Sequence, residues 1–340
     1  MAPEDPEGSI GMRTLLRRLG FYLLAGFAAV TLNFFLARLL PGSALQNALA
    51  KLRGANLDPA AIRALEAQYG TGADHSVLSQ YLTYLSGLLH GDLGLSTSQS
   101  APVSSILGDT LPWTLGLVGT ATALAFVVGT LAGIVVGWKR NGLLDGLLPA
   151  VTFFQSVPYF ILAFLVMMTL GYFGGFFPYQ NGYDTGRHAH LTPGWNGPFV
   201  TSVIEHGTLP ALTVVLASLA GWVIGMRNMM ITTMDEDYVL VAAAKGLPQW
   251  RVAAVAARNA ILPTISNFAL SISLVVTGSL VTEIVFTYPG VGWQIYQAIL
   301  AGDYPLLQGI LLVVVLTVLA VNLVADLAYV ALDPRARKEA

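Results

Sequence analysis

Cysteine is absent from the 340 residues, which excludes disulfides, thiol nucleophiles and Cys-ligated zinc or iron–sulfur centres and leaves the redox compartment open. Charge is scarce as well. Asp, Glu, Lys and Arg make up 11% of the chain against 55% hydrophobic residues, and the mean hydropathy is +0.66, whereas a soluble domain carries roughly 25% charged residues. So few charges cannot coat two or three soluble domains, and one polytopic membrane domain in contact with lipid is the expectation. The net charge of −2 supplies no basic field, so no nucleic acid is expected as a partner. A phosphate-binding loop is missing too. It needs Gly-Lys-Ser/Thr, so that backbone N–H groups and the lysine surround the phosphates, but the four lysines follow Ala50, Trp138, Ala244 and Arg337. If the chain takes part in an ATP-driven process, ATP is hydrolysed on another polypeptide.

Constellations for chemistry within the membrane are equally lacking. The histidines His75, His90, His188, His190 and His206 lie in or beside the expected outer segments, where none can activate a serine at mid-membrane. His188-x-His190 has no third ligand in register, so no metal site is expected. Glu283 falls toward the outer end of one apolar run and Asp326 near the inner end of another, which argues against an aspartic dyad. No catalytic residue is assigned and the chain is not expected to be an enzyme. A gradient-driven transporter would need a mid-membrane ionisable relay, and none is visible.

Six long stretches remain between the charges: Leu19–Ala37, Thr110–Trp138, Gly146–Tyr183, His206–Met226, Asn259 through Glu283 to Tyr288, and Tyr304–Ala325. Each approaches or exceeds the ~20 residues a helix needs to cross ~30 Å of hydrocarbon. Their continuous Leu, Val, Ala and Phe show none of the alternation of a lipid-facing barrel. The predicted fold class is therefore an all-α polytopic membrane protein with six transmembrane helices. With the N-terminus inside, twelve Lys and Arg lie on the inner side and four on the outer, apart from Arg38 near a helix end. This asymmetry predicts two cytoplasmic termini. The first run is longer than the ~7–15 residues of a signal-peptide core and lacks a small-x-small site, so an uncleaved anchor is expected.

The segments then read as a cytoplasmic N-terminus (1–18), a first transmembrane helix (19–40), a small helical extracytoplasmic subdomain (41–110), a five-helix transmembrane domain (111–331) and a cytoplasmic C-terminus (332–340). In the subdomain, Asp58-Pro59 starts a helix with Ile62, Leu65 and Tyr69 on one face, and Val77–Leu89 forms a second, ended by Gly91 and Gly94. The spacings Gly129–Gly133 and Gly133–Gly137 predict close helix packing. One inner segment, about 228–259, is long. There Asp235–Asp237 supply helix-start charge, Ala242–Ala244 make a thin helix, and Gly246 stops it before a second short helix from about Pro248. The product is either a compact docking knob or an ordinary amphipathic connector.

The run Asp237-Tyr238-Val239 … Ala244-Lys245-Gly246-Leu247, followed by Arg258-Asn259-Ala260-Ile261-Leu262-Pro263, resembles the coupling loop of permease subunits of ABC importers in the dipeptide/oligopeptide/nickel family. Other marks agree in order: Leu39-Leu40-Pro41-Gly42, Tyr81-Leu82, Gly91-Asp92-Leu93-Gly94, Leu111-Pro112-Trp113-Thr114-Leu115 and Ser156-Val157-Pro158. Later come Glu283-Ile284-Val285-Phe286 … Tyr288-Pro289-Gly290-Val291-Gly292, Asp303-Tyr304-Pro305 and Leu332-Asp333-Pro334-Arg335. The chain is most similar to the first of the two permease partners, which carries a large outer segment after its first helix. Leu240 and Ala243 depart from the family, standing where relatives usually carry arginine, and Ser43 replaces a common acidic residue.

The resemblance implies a type I ABC importer permease fold in a bacterial plasma (inner) membrane. Its implied partners are a second homologous permease, two cytoplasmic ATP-binding-cassette ATPases that use ATP and Mg, and an extracytoplasmic peptide-binding protein. No cofactor is expected on this chain. The coupling residues would be Ala242, Ala243, Ala244, Lys245, Gly246, Leu247 and Pro248. Polar residues costly to expose to lipid are candidates for the passage or its gate: Gln155, Tyr159, Asn267, Ser271, Thr282 and Glu283, each equally readable as a helix–helix hydrogen-bonding group. Peptides are the expected cargo, and nickel, glutathione or opines remain open because selection would reside in the binding protein.

Overall fold

Hydrocarbon offers backbone N–H and C=O groups no partners but each other, so apolar stretches this long fold as helices. The computed structural model describes residues 9–39, 76–139, 142, 146, 148–186 and 191–332, without the side chains of 9–15, 37–39, 266–267, 269–278, 325 and 327–332. The elements are α1 (Ser9–Leu39), α2 (Val77–Leu89), α3 (Val103–Trp138), α4 (Leu148–Ser156) and α5 (Tyr159–Val166), which continues as π-helical turns over Met167–Phe173. After it come α6 (Gly197–Met234), α7 (Asp237–Ala244), α8 (Gln249–Val285), α9 (Val291–Ala301) and α10 (Tyr304–Leu332). No strand forms among the described residues beyond an isolated bridge between Leu95 and Pro102. The expected helix around Ile62, Leu65 and Tyr69 lies outside the described residues.

Four helices among the described residues hold stretches long and apolar enough to cross a membrane: Leu16–Leu36, Val103–Trp138, Gly197–Met234 and Tyr304–Val324. A fifth is added if α4 and α5 with its π-helical extension form one broken span, for these two parts are bent by 110°. The stretch Gly146–Tyr183, read from the sequence as one crossing, is broken in the structure. Pro158 disfavours helix at Val157, so α4 stops at Ser156 and α5 starts afresh from the extended N-cap Pro158 (ψ 140°). Two further boundaries move. The second span starts at Val103 and passes through Pro112, and the short helix expected after Gly246 is the first turns of α8, which runs on through Pro263. Helices in lipid tolerate such prolines because neighbouring groups satisfy the freed carbonyls.

The chain forms two compact units, residues 1–111 with 294–340 and residues 112–293. In the first, Phe34 is fully buried against the rings of Tyr81 (5.0 Å) and Tyr84 (5.4 Å) of α2. The Asn33 amide donates to the Gln308 carbonyl at 3.2 Å and so ties α1 to α10. Buried Asp303 organises the loop before α3. Its Oδ2 accepts from the Ser96 hydroxyl (2.6 Å), the Ser98 hydroxyl (2.6 Å) and the Ser98 N–H (2.8 Å), while Oδ1 caps α10 through the Leu306 N–H (3.1 Å). Burial pushes the Asp303 carboxyl up, but these donors outweigh it and hold the group below the usual carboxylate range.

In the second unit α3 and α6 approach closely because glycines face the contact. A Cβ on Gly133 would sit 2.6 Å from the Val223 carbonyl oxygen and 2.7 Å from Met226 Cβ, and one on Gly137 would meet Met230 Cβ at 2.6 Å. The predicted glycine packing is therefore the α3–α6 seam, where any side chain would force the backbones apart. Beside it, Leu117, Leu162, Ala163, Leu209, Phe286 and Tyr288 form a buried core.

Candidate functional site

Two places in the second unit carry features that packing alone does not require, and α8 joins them. At its first end, α7 starts with Asp237 in its first turn, where a carboxylate complements the helix dipole. It ends at Lys245 and Gly246, the latter at φ +77° with its N–H on the Ala243 carbonyl (2.9 Å). This left-handed conformation strains any residue with a Cβ, although a Cβ there would meet nothing within 4 Å. Pro248 then caps α8 from an extended conformation, and its carbonyl accepts the N–H groups of Arg251 (2.8 Å) and Val252 (3.2 Å). Leu247 is partly buried against a core of Met226, Met230, Val239, Val252, Ala256 and Ala260.

Of the coupling candidates, Ala242 is buried, as Val239 is, whereas Ala243, Ala244, Lys245, Gly246 and Pro248 are exposed. So are Tyr238 (39%), Leu240 (57%), Val241 (53%) and Trp250 (60%), with the Arg251 guanidinium 5.0 Å over the Trp250 ring. The knob thus has a sealed inner side and an apolar outer side, which in a polar setting marks a contact surface. Leu240 and Ala243 both lie on the exposed side.

At the other end of α8, Thr282 and Glu283 are fully buried. The helix closes with the Tyr288 N–H on the Glu283 carbonyl (2.9 Å) and the Thr287 N–H on the Ile284 carbonyl (3.2 Å), with Thr287 at φ +48°. That is a Schellman cap built on a threonine where glycine is usual. The turn folds the chain back, so that Glu283 Oε2 accepts the Gly292 N–H at 2.6 Å. The Thr114 hydroxyl of α3 also hydrogen-bonds this carboxylate while accepting the Val291 N–H at 2.8 Å. Gly290 closes the clasp, since a Cβ there would collide with the Glu283 carboxylate and the Thr114 hydroxyl. Oε1 of Glu283 and the Thr282 hydroxyl have no partner among the described residues.

An aromatic lid packs around the clasp. Trp113 stacks on Tyr183 (6.0 Å) and meets Tyr288 edge-on (5.7 Å), and a Cβ on Gly182 would press into Pro289. The Asn181 N–H reaches both the Phe286 carbonyl (3.1 Å) and the Thr287 hydroxyl (3.2 Å).

The remaining passage candidates are separate from the clasp. Gln155 is exposed at the end of α4 and Tyr159 is half-buried at the start of α5, flanking the break. No hydrogen bond joins either to Thr282 or Glu283 among the described residues, and the side chains of Asn267 and Ser271 lie outside those residues. The sequence reading named Glu283 but missed its partners Thr114, Gly290 and Gly292. The signal was the paired glycines after Pro289, since glycine recurs where a backbone must approach closely.

Residues 129–338 match the family described as binding-protein-dependent transport system inner membrane component. The chain belongs to that family. The match takes in the knob, the bent α4–α5 pair and the whole Glu283–Gly292 turn of this inner membrane component, while Thr114 precedes it. Similarity to individual transport proteins runs the full length. The di/tripeptide transport system permease protein DppB of Pseudomonas aeruginosa is 32% identical over 337 residues, covering 96% of this chain and 98% of the relative. The dipeptide transport system permease proteins DppB of Lactococcus lactis (30% over 331 residues) and Escherichia coli (31% over 344) each cover 96% of this chain and 99% of their own length. The inner membrane component is accordingly a multi-pass membrane protein and a transport permease.

Proposed function

We propose that this permease is the membrane-spanning subunit of an importer for di- and tripeptides, delivered by an extracytoplasmic binding protein and driven by ATPases on separate chains. One observation carries the mechanism: α8 has the exposed knob at one end and the buried Glu283 clasp at the other. Its 37 residues rise about 1.5 Å each, roughly 55 Å in all, well beyond ~30 Å of hydrocarbon. Both ends therefore reach the aqueous sides. Movement of the knob in an ATPase cleft would pass through the Gly246–Pro248 turn into α8 and so to the Tyr288–Gly292 turn, as rigid elements carry such transitions.

ATP and Mg would be used by the two ATPases, and a second homologous permease would complete the passage. Gln155, Tyr159, Asn267 and Ser271 are assigned to its wall. Thr282 and Glu283 are assigned to holding the outer turn, because buried groups cannot touch a passing solute until that turn opens. Both termini are placed in the cytoplasm on the Lys/Arg asymmetry, with six crossings.

The test is uptake of labelled dipeptide by vesicles holding the permease with its binding protein and ATPases. ATP-dependent dipeptide accumulation supports the reading, and uptake of nickel or glutathione without peptide overturns the assigned cargo. Orientation is read separately, because the chain has no native cysteine. Single cysteines at Ser79 and Asn181 should react with an impermeant outside reagent and one at Gln249 should not.

A further inference from the structure

Within the first unit an apolar groove of about 320 Å³ lies between α1 and α10, walled by Leu19, Leu23, Phe27, Leu316, Ala320 and Leu323. Gly26 forms part of its floor, where a Cβ would lie in ordinary contact with Leu316 Cδ2 at 3.9 Å. Tyr22 also lines it, and this ring leads to a polar cluster at one end. The Tyr22 hydroxyl donates to Asp326 Oδ2 (2.9 Å), and Arg18 Nη1 donates to the Asp326 carbonyl (3.1 Å).

The ion pair itself is loose. Arg18 Nη1 is 3.6 Å from Asp326 Oδ2, and the two side chains are 27% and 33% exposed. A guanidinium has five N–H donors and a carboxylate two acceptor oxygens, so among the described residues most of this capacity is unspent. The site therefore offers one cationic and one anionic group side by side at the mouth of an apolar channel.

Both walls belong to membrane-span candidates, Leu16–Leu36 and Tyr304–Val324, so the groove continues the lipid-facing surface. From Leu19 to Phe27 it extends about 12 Å at ~1.5 Å per residue, close to one leaflet of a hydrocarbon core about 30 Å thick. A protein helix packed here would fill the channel but leave the guanidinium and carboxylate to find other partners. We infer that the groove holds one acyl chain of an amine-bearing phospholipid, with its phosphate on Arg18 and its ammonium on Asp326. Basic pockets between membrane helices take lipid phosphates, and here the adjacent carboxylate selects a headgroup that carries an N–H donor.

The full-length chain, purified with its partners, is challenged with phosphatidylethanolamine, phosphatidylcholine and phosphatidylglycerol in turn, and retained lipid is counted by native mass spectrometry. Phosphatidylethanolamine is expected to be retained about tenfold better than the other two. Gly26→Leu, or Ala320→Leu from the opposite wall should the first fail to accumulate, is expected to abolish retention. Asp326→Asn is expected to erase the preference over phosphatidylcholine. Equal retention of all three lipids, unchanged retention after filling the groove, or a preference that survives Asp326→Asn overturns the inference. So does a cysteine at Leu23 that cross-links to another membrane chain in place of a photoreactive phosphatidylethanolamine.

Discussion

Glu283, in the last turn of α8, and Asp303, just before α10, are both fully buried carboxylates, yet their surroundings differ in kind. Asp303 meets four donors spread over both oxygens, which satisfies a buried charge and fixes the loop around it. Glu283 gathers its partners on Oε2 and leaves Oε1 bare. A fully paired group holds a structure in one state. A half-paired one costs free energy, which is why the proposed movement of α8 would act on this turn.

The comparison breaks if Asp303 proves dispensable. Asp303→Ala strands two serine hydroxyls and two backbone N–H groups, and we expect it to destabilise the chain by on the order of 3 kcal/mol or more, read as a lowered melting temperature of the purified complex. Loss of a few tenths of a kcal/mol would show that the loop is held elsewhere. The same carboxyl sets a pH signature. Since its folded pKa is depressed, its stabilisation is complete above the unfolded carboxyl value of about 3.9 and is lost as pH falls through the lower folded value. Asp303→Asn should flatten the melting curve in that acid window and leave neutral pH behaviour to its hydrogen bonds.

Glu283→Gln sharpens the other half of the comparison. The amide oxygen can still accept the Gly292 N–H, but as a neutral and weaker acceptor. Uptake should fall while assembly with the second permease persists, and uptake at the parental rate in reconstituted vesicles would dismiss the clasp as a moving part. Gly246 gives the smallest effect. A Cβ there meets only empty space, so the cost is the left-handed backbone alone, about 1–2 kcal/mol for most residues and less for asparagine. Gly246→Asn should insert and keep most substrate-stimulated ATP hydrolysis, whereas Gly246→Val should lose it. Equal activity of both would mean that the turn is not constrained by docking.

Much of this arrangement was legible in the chain. The amphipathic pattern placed a helix over Val77–Leu89, where α2 lies, because an apolar face of fixed period leaves few alternatives. Gly246 marked the end of α7, which the structure closes with a left-handed turn, and Gly129, Gly133 and Gly137 announced a close seam without naming α6 as the neighbour. Proline was less transparent. Pro112, Pro210 and Pro263 sit inside helices while Pro158 ends one, and no local rule separates them, because the outcome depends on which neighbours satisfy the freed carbonyl.

Composition and the spacing of charges by themselves determined the class of this protein, since apolar length and scarce charge admit only membrane helices, and motif order pointed to the permease family. Tertiary structure alone decided what Glu283 touches. Thr114, Gly290 and Gly292 are partners brought by chain reversal and by a different helix, and a lone acidic residue in an apolar run reads the same whether it faces lipid, a passage or a backbone N–H.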